Sequence, residues 1–342
     1  MHYLPLSSMS LASACFSQAA FSAYPHHLLG KPMHADERIL AIGPDLDAPR
    51  LSVLTPFHRY DPSALFERLR GAPCDVEFIL IDDGSASASL LAAVIAAAER
   101  VSFSVRLIVW EKNRGRAAAR NRLIAEARGE YVLFLDADMI PDSPHFLKTW
   151  LGVLATQRPV VAFGGLSVRH APPQPETALH RNLFACSDCA PARRRMLRPA
   201  QSTASANLAV RRDFMRAHPF DARFSGWGFE DTEWALRAAQ HVSILHIDNP
   251  ATHAGLDDVV TLMRKSAEAG RNFARLAREH PRQVRRFAAY RAAVTLRFAP
   301  VRQTLRRIAA WLAADEAGIA PMPLRRTALK LYRATHFAEN LA

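Results

Sequence analysis

Over the first two-thirds of the chain, short apolar runs alternate with segments of mixed polarity. The runs Leu51-Ser-Val-Leu-Thr-Pro56, Val76–Ile81, Val105–Trp110 and Tyr131–Leu135 are almost continuously apolar and rich in β-branched residues. Such runs predict strands buried on both faces. Between them, Pro62–Arg70, Ala86–Arg100 and Arg116–Arg128 read as helices, with Asp61 as an N-cap and Gly129 as a stop. Strand alternating with helix predicts an α/β domain around a mostly parallel sheet. A further helix is expected over Thr232–Gln240 and a strand over Val242–Ile247. The segment Ala35–Arg50 reads as a lead-in. Residues 169–205, rich in Pro, Arg and small polar residues, read as a long mobile loop, and helices rich in Ala and Arg follow Asp257.

The composition refines this picture at three points. Hydrophobic residues are 49% of the 342, enough for a sizeable core, which excludes wholesale disorder. The longest apolar run, Ala88–Ala98, is broken only by Ser89 and is too short to span a bilayer. The net charge of +12 is uneven: residues 256–342 hold 17 Lys and Arg against 7 Asp and Glu. A near-neutral body therefore carries a basic tail suited to acidic partners. The expected organisation is a poorly ordered leader over 1–49, a catalytic domain over 50–255 and a basic helical extension over 256–342. The leader lacks a basic start and a clean apolar core, so no secretory signal is expected there. Cys15, Cys74, Cys186 and Cys189 do not make a disulfide framework. The pair Cys186-x-x-Cys189 lacks the second pair a structural zinc site needs, and reduced thiols in a cytosolic setting are expected.

In open α/β sheets ligands bind at the carboxyl ends of the strands. Asp82, Asp83, Asp136 and Asp138 all stand there. On an extended chain Asp136 and Asp138 point to one face, where two hard oxygen donors suit Mg²⁺ or Mn²⁺ completed by phosphate and water; they could equally be two solvated acids. Asp82-Asp83-Gly84-Ser85 is either an Asx turn or a contact for a nucleoside. Gly226-Trp-Gly-Phe-Glu-Asp231 bends around a flat aromatic surface and sets two carboxylates at a helix N-terminus. There the dipole favours their charge and mutual repulsion opposes it. An Asp at such a corner suits general-base work.

These pieces occur together and in order, and with them the chain resembles the family 2 glycosyltransferases. The resemblance covers roughly residues 50–255. It runs through Leu51–Pro56, Phe78-Ile-Leu-Ile-Asp-Asp-Gly-Ser85, Asn113-Arg-Gly115, Ala119-Arg-Asn121 and Ala127–Asp138. It closes with Asn207-Leu-Ala-Val-Arg-Arg212 and Gly226–Asp231. The last motif is similar to one in β-1,4-galactosyltransferases and bacterial chondroitin polymerases. The resemblance implies a GT-A fold, one mostly parallel sheet flanked by helices, and an inverting transfer of a sugar from a nucleoside diphosphate, UDP favoured, to a glycan or lipid-linked acceptor. It implies nucleotide contacts at Pro56, His58, Asp83, Asn113, Arg120 and Asp136. A metal, Mn²⁺ or Mg²⁺, would sit at Asp138 with Asp136 and His253. Asp231 would be the base, with Glu230, Trp227 and Asn207 on the acceptor side. The chain departs from the pattern at His58-Arg59, where Tyr-Asn is usual, and at Ala206, where Gly is frequent.

In the tail, Phe287, Tyr290, Val294, Phe298, Val301, Leu305, Ile308 and Leu312 form one helical stripe with a kink at Pro300, and arginines lie off it. Such a stripe either lies on an anionic membrane or packs on the catalytic domain. The setting expected is cytoplasmic, with peripheral contact to the cytoplasmic face of the inner membrane. Two other readings are an inactive sugar-nucleotide-binding relative and a basic nucleic-acid-binding protein. No nucleic-acid-binding motif supports the latter, and no nucleic acid is expected as a partner.

Overall fold

A computed structural model describes residues 36–341. The expectations for residues 1–35, Cys15 among them, lie outside the described residues. Among the described residues there are eleven strands: β1 (Glu37–Ile42), β2 (Leu51–Phe57), β3 (Val76–Asp82), β4 (Ser104–Trp110), β5 (Tyr131–Leu135), β6 (Met139–Pro141), β7 (Val161–Phe163), β8 (Leu166–Ser167), β9 (Asn207–Arg211), β10 (Ile244–His246) and β11 (Ala251–His253). Eight form one sheet in the order β1-β4-β3-β2-β5-β9-β7-β10. Its centre, β4-β3-β2-β5, is parallel, as the apolar runs predict. All seven residues of β3 are buried, because helices flank the sheet. Ser63–Arg68, Ala88–Glu99 and Arg116–Glu126 pack on it through Leu65, Phe66, Val94, Ile95, Leu123 and Ile124.

Part of the expected leader is ordered structure. Residues Glu37–Ile42 pair antiparallel with Val105–Trp110 of β4. Ile39, Leu40 and Ile42 enter the core, and Glu37 accepts from Trp110 Nε1 (2.9 Å) and Arg122 Nη2 (2.7 Å). The region read as a long loop holds helices Ala178–Ser187 and Ala192–Arg195 and a 3-10 turn at Ala200–Ser202. Leu179 and Leu183 are buried under the C-terminal helices, an apolar anchor that the surrounding Pro and Arg hide in the sequence.

The basic extension consists of helices Val259–Glu279, Pro281–Val284, Ala288–Arg297, Arg302–Ala314 and Met322–Asn340. It is packed onto the body through two apolar clusters. One joins Phe224 and Leu236 to Phe273, Leu276, Val284 and Phe337. The other joins Leu179 and Leu183 to Leu262, Ala313 and Leu329. The single stripe expected over residues 287–312 is divided between two helices by a turn around Pro300. Phe287, Tyr290, Leu296 and Leu312 turn inward against these clusters, whereas Val294, Phe298, Val301 and Ile308 face outward. No helix among the described residues is long and apolar enough to cross a membrane.

Candidate functional site

A cleft of about 740 Å³ opens where β2, β3 and β5 end, and the helical extension closes its far side. Pro56 and His58 stand at the end of β2 and line it, as does Asp83 beyond β3. Asp83 is buried, and its carboxylate accepts from Arg114 N (2.6 Å), Gly115 N (2.9 Å) and Asn113 Nδ2 (3.1 Å). Burial pushes its pKa up against the pull of those backbone donors. Of the roughly four acceptor positions on a carboxylate, about one is left for a ligand. Asp83 thus fixes the 113–115 turn. Its backbone carbonyl also holds Asn113 Nδ2 (3.0 Å) and His58 Nδ1 (2.9 Å). Asp82 accepts from Ser85 N (2.8 Å), the Asx-turn reading.

After β5 the chain turns: Met139 N–H donates to the Asp136 carbonyl. The two acids therefore do not share the neighbourhood that an extended chain would give them. Asp136 faces helix Arg116–Glu126, and its carboxylate binds Arg120 Nη2 at 2.9 and 3.2 Å and lies 3.5 Å from Arg116 Nη2. Burial raises its pKa, but those two cations outweigh burial and hold it low. Asp138 lies 3.0 Å from His253 Nε2. The second, three-stranded sheet makes this contact, because β11 pairs antiparallel with β6 and sets His253 opposite Met139. A Cβ on Gly255 would lie 2.4 Å from Asp138 Oδ2, so glycine is required for the carboxylate to sit there. His253 Nδ1 is buried without a partner. A carboxylate and an imidazole converging at the rim of a cleft fit a divalent ion that draws its other ligands from phosphate and water. Asp136, committed to two arginines, is not an evident ligand. Among the described residues the one group of three donors within 4.8 Å of one another is Glu233, Glu279 and His280. Arg237, Arg223 and Arg275 already neutralise those carboxylates.

The corner 226–229 is built from backbone conformations that favour glycine. Gly226 and Gly228 have φ of 75° and 91°, and Phe229 follows at 73°. A non-glycine residue there costs about 1–3 kcal/mol and needs support. The extension supplies it. Phe229 packs on Phe273 and Phe337, and Asn272 Nδ2 donates to the carbonyls of Ser225 (3.0 Å) and Gly228 (2.9 Å). Helix Glu230–Ala238 starts directly after the corner. Glu230 is buried, and its Oε1 accepts from Arg120 Nη1 (3.0 Å) and Arg116 Nε (3.1 Å). Burial raises its pKa, but both arginines more than offset this and hold Glu230 ionised. Asp231, beside it, is pushed up to about 6 by burial and by the charge of Glu230. Two adjacent acids are thus driven apart in acidity, the arrangement that assigns one a structural charge and the other a proton.

The profile of Glycosyl transferase family 2 matches residues 63–213. Residues 63–213 are a family 2 glycosyltransferase domain. The amylovoran biosynthesis glycosyltransferase AmsB of Erwinia amylovora is 42% identical over 62 residues, which are 18% of this chain and 21% of that one. The cholesterol galactosyltransferase of Borreliella burgdorferi is 44% identical over 64 residues, 19% of this chain and 17% of that one. The chain spans about a fifth of the length of these relatives. The mannosyltransferase PcManGT of Pyrobaculum calidifontis, solved with GDP-Man and Mn²⁺, superposes with a TM-score of 0.52 at 18% identity, over 86% of this chain and 87% of that one. The likeness is one of fold, and the fold is GT-A.

Within the family 2 domain the structure reassigns two expected ligands. Arg120 is fully buried, and its guanidinium bridges Asp136 and Glu230. It lines the cleft and ties the strand-end acid to the helix corner, with both Nη atoms held by those two acids. Asn207, expected on the acceptor side, is buried. It accepts from Trp150 Nε1 (3.2 Å) and donates to the carbonyls of Gly165 and Asn249. Its whole amide is spent inside the fold. Glu230, Trp227 and Asp231 all line the cleft, with Oε1 of Glu230 taken up by its two arginines. Arg116 was missed, yet it touches both Asp136 and Glu230. Its signal was the i, i+4 spacing with Arg120, which puts both on one helix face. His180 was also missed. Its ring lies 5.5 Å from that of His253, and burial together with His253 pushes its pKa down to about 4.

Proposed function

We propose that this chain is an inverting glycosyltransferase that moves a sugar from a nucleoside diphosphate donor to a hydroxyl of a glycan or lipid-linked acceptor. The observation that carries this reading is the Arg120 bridge. One buried guanidinium spans Asp136 and Glu230 and so fixes the Asp138–His253 rim relative to Asp231 across one cleft. Pro56, His58 and Asp83, with the 113–115 turn that Asp83 fixes, receive the nucleoside. Asp138 and His253 hold Mn²⁺ or Mg²⁺, which when bound supplies Lewis-acid help to the departing diphosphate. Asp231 takes the proton of the acceptor hydroxyl as that oxygen attacks the anomeric carbon, and a base that titrates near the working pH serves this well. Trp227 offers a flat face to the acceptor sugar. Arg116, Arg120 and Glu230 are positioning residues.

PcManGT carries GDP-Man and Mn²⁺, which supports a divalent ion here and leaves guanosine beside the favoured uridine as the base. The basic extension and its outward Phe298, Trp311 and Ile319 support work at the cytoplasmic face of an anionic membrane, where a lipid-linked acceptor would be met. The test is thermal stabilisation by UDP- and GDP-sugars with and without Mn²⁺. Stabilisation by one donor class that disappears with chelator is expected. No shift with any donor at saturating Mn²⁺ would overturn the proposal.

A further inference from the structure

A second basic pocket, of about 470 Å³, shares no lining residue with the cleft. It lies between the turn after helix Ala192–Arg195 and the C-terminal helices, and is lined by Leu197, Arg198, Gln201, Arg285, Arg286 and Arg291. All four arginines are exposed. Among the described residues none of their guanidinium groups has a carboxylate within 4.0 Å. Elsewhere in the molecule Arg106, Arg122, Arg237 and Arg325 are all paired. Four like charges around one depression repel one another, and this arrangement is stabilised when an anion occupies it.

The surroundings of the pocket select the anion. Leu197 is 80% exposed at its wall. Arg291, Val294 and Phe298 fall at helical spacing along one face of Ala288–Arg297 and the residue after it, and Phe298 is 82% exposed. A nucleic acid or an anionic glycan would use the charge but has no use for exposed Leu and Val. Arginines interleaved with outward aliphatic and aromatic side chains match the boundary between lipid headgroups and acyl chains.

We propose that Arg198, Arg285, Arg286 and Arg291 bind the phosphate of an anionic phospholipid headgroup, with Leu197 and Phe298 entering the acyl boundary beside it. This rests on the membrane reading above and gives it a specific contact. The experiment is sedimentation of the full chain with vesicles of phosphatidylcholine alone or with phosphatidylglycerol. Two variants are compared after their folding is confirmed by circular dichroism. One is Arg285→Gln/Arg286→Gln/Arg291→Gln. The other, Arg100→Gln/Lys148→Gln/Arg169→Gln, removes the same charge from exposed sites outside the pocket. Wild type should bind only the vesicles containing phosphatidylglycerol. The pocket variant should bind about 100-fold more weakly, since each basic residue near such a surface is worth about fivefold. The control should lose less than about threefold, because charges beyond a Debye length are screened. If wild type binds and the two variants weaken alike, the pocket is overturned while the membrane reading stands. If wild type ignores the vesicles but is retained on single-stranded DNA, both fall.

Discussion

The two walls of the cleft are made by different means. The wall formed by the family 2 domain sets its residues at the ends of strands whose registers are fixed by a buried sheet: Pro56 at the end of β2, Asp83 beyond β3 and Asp136 beyond β5. The opposite wall is a corner with three positive φ angles, and little in its local sequence would hold it. Its support comes from Asn272, Phe273 and Phe337, of which the last lies more than a hundred residues along the chain. The first wall is rigid because of what precedes it in sequence, the second because of what folds back onto it. The extension is therefore a wall of the cleft, and the proposed base, Asp231, depends on it.

The largest effect expected falls on the second wall. Asp231→Asn keeps the size and loses the proton acceptor, so turnover should drop by about 10²–10⁴-fold. Donor affinity should change by less than about 1 kcal/mol, because a role confined to the transition state is lost. Transfer rate measured beside donor binding checks this. Retained turnover in Asp231→Asn with loss in Glu230→Gln would move the base to the residue that Arg116 and Arg120 now hold.

Phe337→Ala tests whether the two walls are one cooperative unit. Phe337 is buried, with its ring 4.2 Å from that of Phe273. Its removal should cost about 3–5 kcal/mol in denaturant unfolding. It should also lower turnover, since Phe229 loses a neighbour. Two separate unfolding transitions, with donor-induced stabilisation untouched, would show that the extension folds by itself and that the contrast between the walls is mistaken.

How much of this could be read from the sequence follows the same division. Strands β2 to β5 were legible because five to seven residues of continuous apolar character leave little alternative. Strands β6, β7, β8 and β11 have two or three residues each, too few to show a period, and with them went the pairing that brings His253 to Asp138. β1 was hidden because its apolar run is flanked by Asp, Gly and Pro that read as a lead-in. Asp138, His253 and Asp231 were singled out by motif and position, and all three line the cleft. Asn207 was expected in it as a ligand, whereas its amide is held inside the fold, and Arg120 lines it with both Nη atoms held by Asp136 and Glu230. A motif marks where a residue stands on the fold. It does not say which way its polar atoms are spent.

Gly255→Ala sharpens the metal assignment without touching a ligand. The added methyl would press on the Asp138 carboxylate and tilt it away from His253. Disturbing a group that orients a metal ligand typically costs about 10–100-fold in metal affinity, so Mn²⁺-dependent donor binding should weaken by that order. Metal-independent nucleotide binding at Pro56 and His58 should stay. Calorimetry with and without Mn²⁺ separates the two. An unchanged Mn²⁺ dependence would place the ion elsewhere.

The smallest effect is the most specific to the acid pair. In the proposed mechanism the ionised form of Asp231 takes the proton, and its pKa stands raised to about 6. Turnover should therefore be flat above pH 7 and fall about tenfold per pH unit below 6, as the base takes up its proton. The sign for stability runs the opposite way. A carboxyl whose folded pKa is raised above 3.8 binds its proton more tightly when folded, so its contribution favours the fold at low pH and is lost as pH rises from about 4 to about 6. Stability and activity should thus change in opposite directions across that window as far as this group is concerned. Glu230→Gln removes the neighbouring charge that helps to raise Asp231 and frees two arginines that lower it. The acid limb of the rate profile should then shift to lower pH while the plateau persists at a reduced level. An unmoved limb would mean that burial alone sets the acidity of Asp231. A limb moved to higher pH would mean that the two acids do not interact as the geometry requires.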